Sequence, residues 1–594
     1  MLLKIEELFT AKIYMELCRG NGNLAVLIGI MQHSSTRMQS ELATLLKEEE
    51  KLKNELLNNT LEDEKKIGTF ALCLKSLKEE NKESLLLFEK AMEPNGYLKL
   101  INGRGNIVIL SRFLQYMSEN MRKEMLKSLK RNPMTLDTIF ENTFTDEASV
   151  GTFHFALREM QKNDNELLQD FETILGVKRY MRIICDLGNL TILFQILQYS
   201  TPEMTEKIIS EFEKDKNACK RMMARTLTEK VSIRAIPLPL KEINKKNPKL
   251  MELMDKIIEA EEWINLFVKK GDIMTLFGCL SEMSRNMKIS ILHQLIEHYE
   301  NFALIISNTV ENNISLGTLS LRMKSLNLIE DEINQLVEKL FTPEFFLFLM
   351  EKQGKISTFI LTLGEVSNEY LNSIQQKDLH TVIDKVFERS VFERDTLFNV
   401  HYGLRRLRIK HLKLLCLIED YIGRERYRQL FIQGSSLFNV LRITVYSTLG
   451  EQICNDILED EEYFGILLNN INDANELSNG FEIEMYSAIM GRNSCFERII
   501  NEKISDEQWV EYFRKKCSFQ DFLYILRWLQ GIKITHIANI IVSDIHLTDD
   551  FCVKWHKEVT EELLNSKITK EALDVIRSHS SSLGEIIEGV IVSG

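Results

Sequence analysis

Gly105-Asn106-Ile107-Val108-Ile109-Leu110 and Gly188-Asn189-Leu190-Thr191-Ile192-Leu193 decide the reading of this chain, because the second hexapeptide repeats the first 83 residues later. Gly271-Asp272-Ile273 and Gly354-Lys355-Ile356 follow at the same step, and one step back lies Gly22-Asn23-Leu24. The series continues at Gly434 after a shorter step of 80 residues and at Cys517 after another 83, which makes seven marks. Self-similarity at a fixed period is the signature of a repeat architecture.

Two further series share the period. An aromatic residue lies eight before most marks, at Tyr14, Tyr97, Tyr180, Trp263, Phe346 and Trp509, with Tyr427 seven before Gly434. A small hydroxyl residue lies thirteen after them, at Ser35, Ser118, Thr201, Ser284, Ser367 and Ser447; Gln530 breaks this series. Glycine suits the left-handed position that ends a helix, and the Asn or Asp beside it suits the cap of the next. The Ser or Thr is placed to cap a second helix. Ile107, Leu110 and Leu114, recurring as Leu190, Leu193 and Leu197, share one helical face. Stripes such as Met121, Met125, Leu126 and Leu129 need a neighbour to cover them. A second set of glycines, at Gly68-Thr69-Phe70, Gly151-Thr152-Phe153, Gly317-Thr318-Leu319 and Gly480-Phe481, divides each unit into two helical hairpins of unequal length.

On these marks the chain resembles the α-solenoid class, in the manner of HEAT and armadillo repeats. It is similar, more faintly, to the helical sensor arms of STAND-class signalling NTPases, although the sequence carries no NTPase module. The resemblance implies an all-α, right-handed superhelix of about seven units. Their expected bounds are an N-terminal cap at 1–13, units at 14–96, 97–179, 180–262, 263–345, 346–426 and 427–508, and a last unit with a C-terminal cap at 509–594.

Composition agrees with helix. Only 7 prolines occur in 594 residues, and proline is the residue a helix interior tolerates least. A net charge of −13 argues against general attraction to nucleic acid or anionic lipid. The 10 cysteines are scattered, with no C-x-x-C pair, and read as buried thiols in a reducing compartment. No run approaches the ~18 to 20 apolar residues that span a bilayer, so a cytoplasmic protein without a membrane partner is expected.

Three places depart from the pattern. Pro237 and Pro239, within residues 234–240, predict an extended loop where a helix would otherwise begin. From Leu397 to Arg428, where the period shortens, Arg405, Arg406, Arg408, Lys410, Lys413, Arg424, Arg426 and Arg428 face only three acids. Residues 451–490 then hold ten acids and no Lys or Arg. Either the basic stretch pairs with the acidic one (451–484), or it receives an anionic partner.

No nucleotide-binding or metal-binding motif is found. Gly354-Lys355-Ile356-Ser357 lacks the upstream glycine of a P-loop, and His293 and His298 are five apart, which does not fit a zinc pair on one helix. The expectation is a non-enzyme with no cofactor and no metal. Its function is to bind a protein or peptide along a concave surface, helped by 23 pliable methionines. Nucleic-acid binding through 405–428 and a sensor or adaptor role in a defence or signalling assembly are the alternatives.

Overall fold

The first N–H groups of any helix have no partner within it, and at the first four marks the residue after the glycine supplies one. Asn106 accepts from the Ile109 N–H at 3.0 Å, Asn189 from Ile192 at 3.1 Å and Asp272 from Thr275 at 2.8 Å. Asn23 accepts from Ala25 and Val26. These caps open the helices Leu24–Gln32, Ile107–Tyr116, Leu190–Tyr199 and Ile273–Glu282. The computed structural model describes residues 6, 8–62, 64–145, 147–228, 233–246, 248–327, 331–395, 397, 400–470, 498–526, 529–558 and 567–593. Among the described residues there are 37 α-helices and no strand.

The marker glycines are not left-handed, contrary to the expectation. At Gly22, Gly105, Gly188, Gly271 and Gly354, φ lies between −111° and −68° with ψ extended. Glycine is needed there for space, because a Cβ would stand 2.6 or 2.7 Å from an atom of the residue four back. At these five marks the chain leaves the helix so sharply that only a bare Cα clears the turn below, whereas Cys517, also extended after its helix, carries a side chain there.

Positive φ occurs elsewhere, among other places at Gly176 and Gly423 (both 69°) and at Glu93 (55°). These three belong to a series four residues before the periodic aromatics: Thr10, Glu93, Gly176, Glu259, Thr342, Gly423 and Ser505. At all seven, ψ lies between 156° and 166°. Each turns the chain into the short helix that carries the aromatic. Tyr97, Tyr180, Trp263, Phe346, Tyr427 and Trp509 are buried there, while Tyr14 is half-buried. Tyr97, for example, packs with Phe70 and Phe113 at ring separations of 6.3 and 5.9 Å.

From Gly22 to Gly434, successive marks enclose six helical segments and not the four of two hairpins. From Gly105 to Gly188 these are Ile107–Tyr116, Glu119–Arg131, Pro133–Thr145, Glu147–Asn163 and Asn165–Arg182, the last bent in two at Gly176. The extra breaks fall at Glu49, Asn132, Asp215 and His298, where φ lies between −97° and −124°. None of these is Gly or Pro, and only the break at Asn132 has a local signal, Pro133 at the first position of the next helix. Gly68 and Gly151, expected to mark divisions, lie inside the helices Glu64–Glu80 and Glu147–Asn163.

The proline segment is also helical. A 3-10 turn, Ile233–Ala235, leads into the helix Pro237–Lys246. Both prolines sit in its first turn, where no N–H would be bonded anyway and the fixed φ is already helical.

The chain forms two compact units, Met1–Asn301 and Phe302–Gly594. In the first, Leu24–Gln32, Glu64–Glu80, Ile107–Tyr116, Glu147–Asn163, Leu190–Tyr199, Pro237–Lys246 and Ile273–Glu282 each pack on the next in chain order. In the second, Leu319–Asn327, Ile356–Leu363, Val400–Lys410 and Leu437–Tyr446 do the same. The other helices cover this layer with buried stripes such as Met121, Met125, Leu126 and Leu129. Each such side chain contributes about 1.5–3 kcal/mol on leaving water.

Candidate binding surface

The basic stretch is largely consumed by the fold. Arg406 pairs with Glu365, and Arg408 donates to the carbonyls of Tyr446 and Ser447 at 3.2 and 3.3 Å. Lys410 donates to the carbonyls of Gly364 and Val366, both at 3.3 Å. Arg426 binds Asp384 at 2.7 Å and lies over the rings of Phe387 and Tyr421. Arg424 reaches Asp456 at 3.2 Å, while Arg428 pairs with Asp460 and covers the ring of Tyr463. Both acids belong to the acidic segment, so the two segments meet at these pairs. Residues 471–490 of that segment lie outside the described residues. Half-buried Arg405 and exposed Lys413 have no ion pair among the described residues.

Polar chemistry inside the fold is concentrated in a clasp that sequence reasoning missed. The Ser or Thr cap is held by an acid 29 residues before it: Ser35 by Glu6, Ser118 by Glu89, Thr201 by Glu172, Ser284 by Asp255 and Ser367 by Glu338. In four of these five the cap N–H also donates to the acid, its shorter contact lying at 2.6–3.1 Å. In the sixth instance Thr448, not the expected Ser447, takes this place against Glu419. In the seventh the Gln530 N–H donates to Asn501 at 2.8 Å. Burial pushes the carboxyls of Glu89, Glu172, Asp255 and Glu419 up from their usual range, against the pull of the cap hydrogen bonds. The hydroxyls of Tyr180 and Tyr427 donate to Glu172 and Glu419 at 3.4 and 3.1 Å.

A second unnoticed series starts the marker helices. Buried Thr60, Thr143 and Thr226 accept from the N–H groups of Leu24, Ile107 and Leu190 at 2.9–3.1 Å, each across 36 residues. Where Lys355 cannot accept, Ser390 and Asp395 take the N–H groups of Ile356 and Ser357 at 2.8 and 2.9 Å. Both series were visible in principle as Glu or Thr returning at the period.

On the outside, one register is apolar without need. Leu72, Phe155 and Leu238 in the first unit, each 83 residues apart, and Leu321 and Tyr402 in the second, are between 36 and 68% exposed. They lie on Glu64–Glu80, Glu147–Asn163, Pro237–Lys246, Leu319–Asn327 and Val400–Lys410, all helices of the stacked layer. The next equivalent, Glu484, is outside the described residues.

No protein-family model and no curated protein matches this chain. Burial raises the thiols of Cys18 to about 11 and of Cys185 and Cys219 to about 12, so at neutral pH they carry their protons and are poor nucleophiles. His401 is pushed down to about 4, first by burial and then by Arg442 and Arg405, which leaves it neutral. Among the described residues no group of three or more His, Cys, Asp and Glu could hold a metal ion, and no helix is long and apolar enough to cross a membrane.

Proposed function

We propose that the chain is a non-catalytic α-solenoid scaffold of about seven 83-residue units, cytoplasmic, whose work is to bind a protein or peptide partner along the stacked layer. One observation carries this reading: the exposed apolar register at Leu72, Phe155, Leu238, Leu321 and Tyr402. A scattered exposed leucine means nothing, but large apolar side chains returning to solvent at one position of successive repeats are poorly explained by folding. The chain-order packing of the layer within each unit supports the repeat architecture. The buried acids and hydroxyls support a structural role for the internal polar groups, since they are committed to helix ends. An anionic partner on 405–428 is the weaker reading, with six of its eight cations engaged within the fold.

The test places a photo-cross-linking amino acid at positions 72, 155, 238, 321 and 402, and at exposed Leu86 and Met134 as controls. The expected result in native extract is adducts with the same protein at several of the five positions and few at the controls. Equal labelling at the controls, or adducts with nucleic acid alone, would count against the reading.

A further inference from the structure

Three residues after each exposed apolar side chain stands a cation: Lys75 after Leu72, Arg158 after Phe155 and Lys241 after Leu238 in the first unit, Lys324 after Leu321 and Arg405 after Tyr402 in the second. Lys and Arg are 74 of 594 residues, about one in eight, and acids outnumber them. Five cations at five equivalent places is therefore a pattern of the surface. One turn further on, Glu79, Lys162, Lys245 and Ile409 follow no rule. Lys75, Arg158, Lys241 and Lys324 are exposed and Arg405 is half-buried. Of the five, only Lys75 has an ion pair among the described residues, with Glu79 at 3.9 Å. Such an exposed pair is easily given up.

We infer that the Leu72/Lys75, Phe155/Arg158 and Leu238/Lys241 stations of the first unit form one binding track for an extended acidic segment of another protein, with apolar side chains set beside its carboxylates. This rests on the scaffold reading above and gives it a partner chemistry. The helices Ile107–Tyr116 and Leu190–Tyr199 lie between the stations. Each offers a half-exposed apolar residue at its own repeated register, Ile109 and Ile192. Packed helices lie about 8–10 Å apart, so stations two helices apart are separated by about 16–20 Å. An extended chain covers that in about five or six residues. The occupant is acidic because each station presents a cation about one helical turn from its apolar contact. It is a polypeptide and not a nucleic acid because Leu72 and Leu238 are aliphatic and offer no ring on which a base could stack.

The probe is a fluorescent 18-residue synthetic peptide, three copies of Leu-Asp-Glu-Ser-Gly-Ser, titrated onto the full chain and read by anisotropy. Saturable binding is expected, weakened by about tenfold or more in the triple variant Leu72→Ser, Phe155→Ser, Leu238→Ser and likewise in Lys75→Glu, Arg158→Glu, Lys241→Glu. The triple Lys90→Glu, Lys130→Glu, Lys207→Glu alters net charge as much at exposed sites elsewhere and is expected to bind as wild type. All substituted side chains are exposed, and unchanged circular dichroism and melting verify the fold. The inference is overturned if the peptide does not bind, if the control triple loses as much, or if the apolar triple loses nothing. Equal binding of a peptide with Lys for its acids, of single-stranded DNA or of phosphatidylserine vesicles overturns it too. Failure of the acidic probe alongside cross-linking of one protein to positions 72, 155 and 238 removes the partner chemistry alone. Absence of any such cross-link removes the scaffold reading.

Discussion

The segment from Gly105 to Gly188 and the segment from Gly354 to Gly434 solve the same problem with different residues. In the first, Asn106 and Thr143 satisfy the opening N–H groups of Ile107–Tyr116. In the second, a lysine stands in the cap position, and Ser390 and Asp395 do that work for Ile356–Leu363. The hydroxyl reaches across 36 residues in one and 34 in the other, so part of the shortening falls between the helix start and its distant acceptor. An unsatisfied helix start is costly when buried, and the chain meets that demand wherever it can find an oxygen. What repeats is the hydrogen bond, and the residue that supplies it is free to change.

The largest effects are expected where one acid serves several donors. Glu172→Ala strands the Thr201 N–H, the Thr201 hydroxyl and the Tyr180 hydroxyl, and Glu419→Ala strands the matching set around Thr448. Each should lower unfolding free energy in urea by about 3 kcal/mol, and Glu172→Gln, which keeps one acceptor, by about half as much. Acid titration sharpens this. The Glu172 carboxyl is raised in the fold, so the native state holds its proton more tightly than the unfolded chain does. Its contribution to stability is full below the ordinary carboxyl range and is lost as pH rises through the raised value. The gap between wild type and Glu172→Gln should therefore move in favour of wild type on acidification, and a pH-independent gap would remove the buried carboxylate from the account.

Next come the distant hydroxyls. Thr143→Val and Ser390→Ala should each cost about 1–2 kcal/mol by orphaning a buried N–H, measured in the same way. Adding Asp395→Ala to the second should cost more again, since that acid takes the neighbouring N–H. A smaller effect is expected at the chain reversals before the aromatics. Glu93→Gly should gain about 1 kcal/mol by relieving a positive φ, and Gly176→Ala should lose about as much although no atom lies within 4 Å of the added Cβ. Smallest of all, Lys355→Asn should gain about 0.5 kcal/mol by restoring a side-chain cap, less any loss of the exposed Lys355–Glu393 pair.

These effects also mark what could be read from sequence. Asn23, Asn106, Asn189 and Asp272 were legible as caps because capping is local. The periodic aromatics were legible as core because bulk at a fixed register has to be buried. Glu172 and Thr143 were not, because their partners lie 29 and 36 residues away and their types also suit a solvated helix face. The breaks at Glu49 and Asp215 carried no Gly or Pro. Arg406 and Arg426 looked available because Glu365 and Asp384 sit on other elements, outside the stretch in which the charges were weighed. The exposed Leu72 register was hidden by the same ambiguity, since a leucine in a helix is ordinarily core.

Equivalence of the 83-residue blocks is the claim beneath all of this, and excision tests it most directly. Removing residues 97–179 joins Gly96 to Tyr180 with the register kept, whereas removing 97–162 joins unlike positions. The in-register product should stay soluble and helical with a cooperative melt, and the out-of-register product should aggregate or lose that transition. If both products unfold alike, the blocks are not interchangeable and the repeat reading fails.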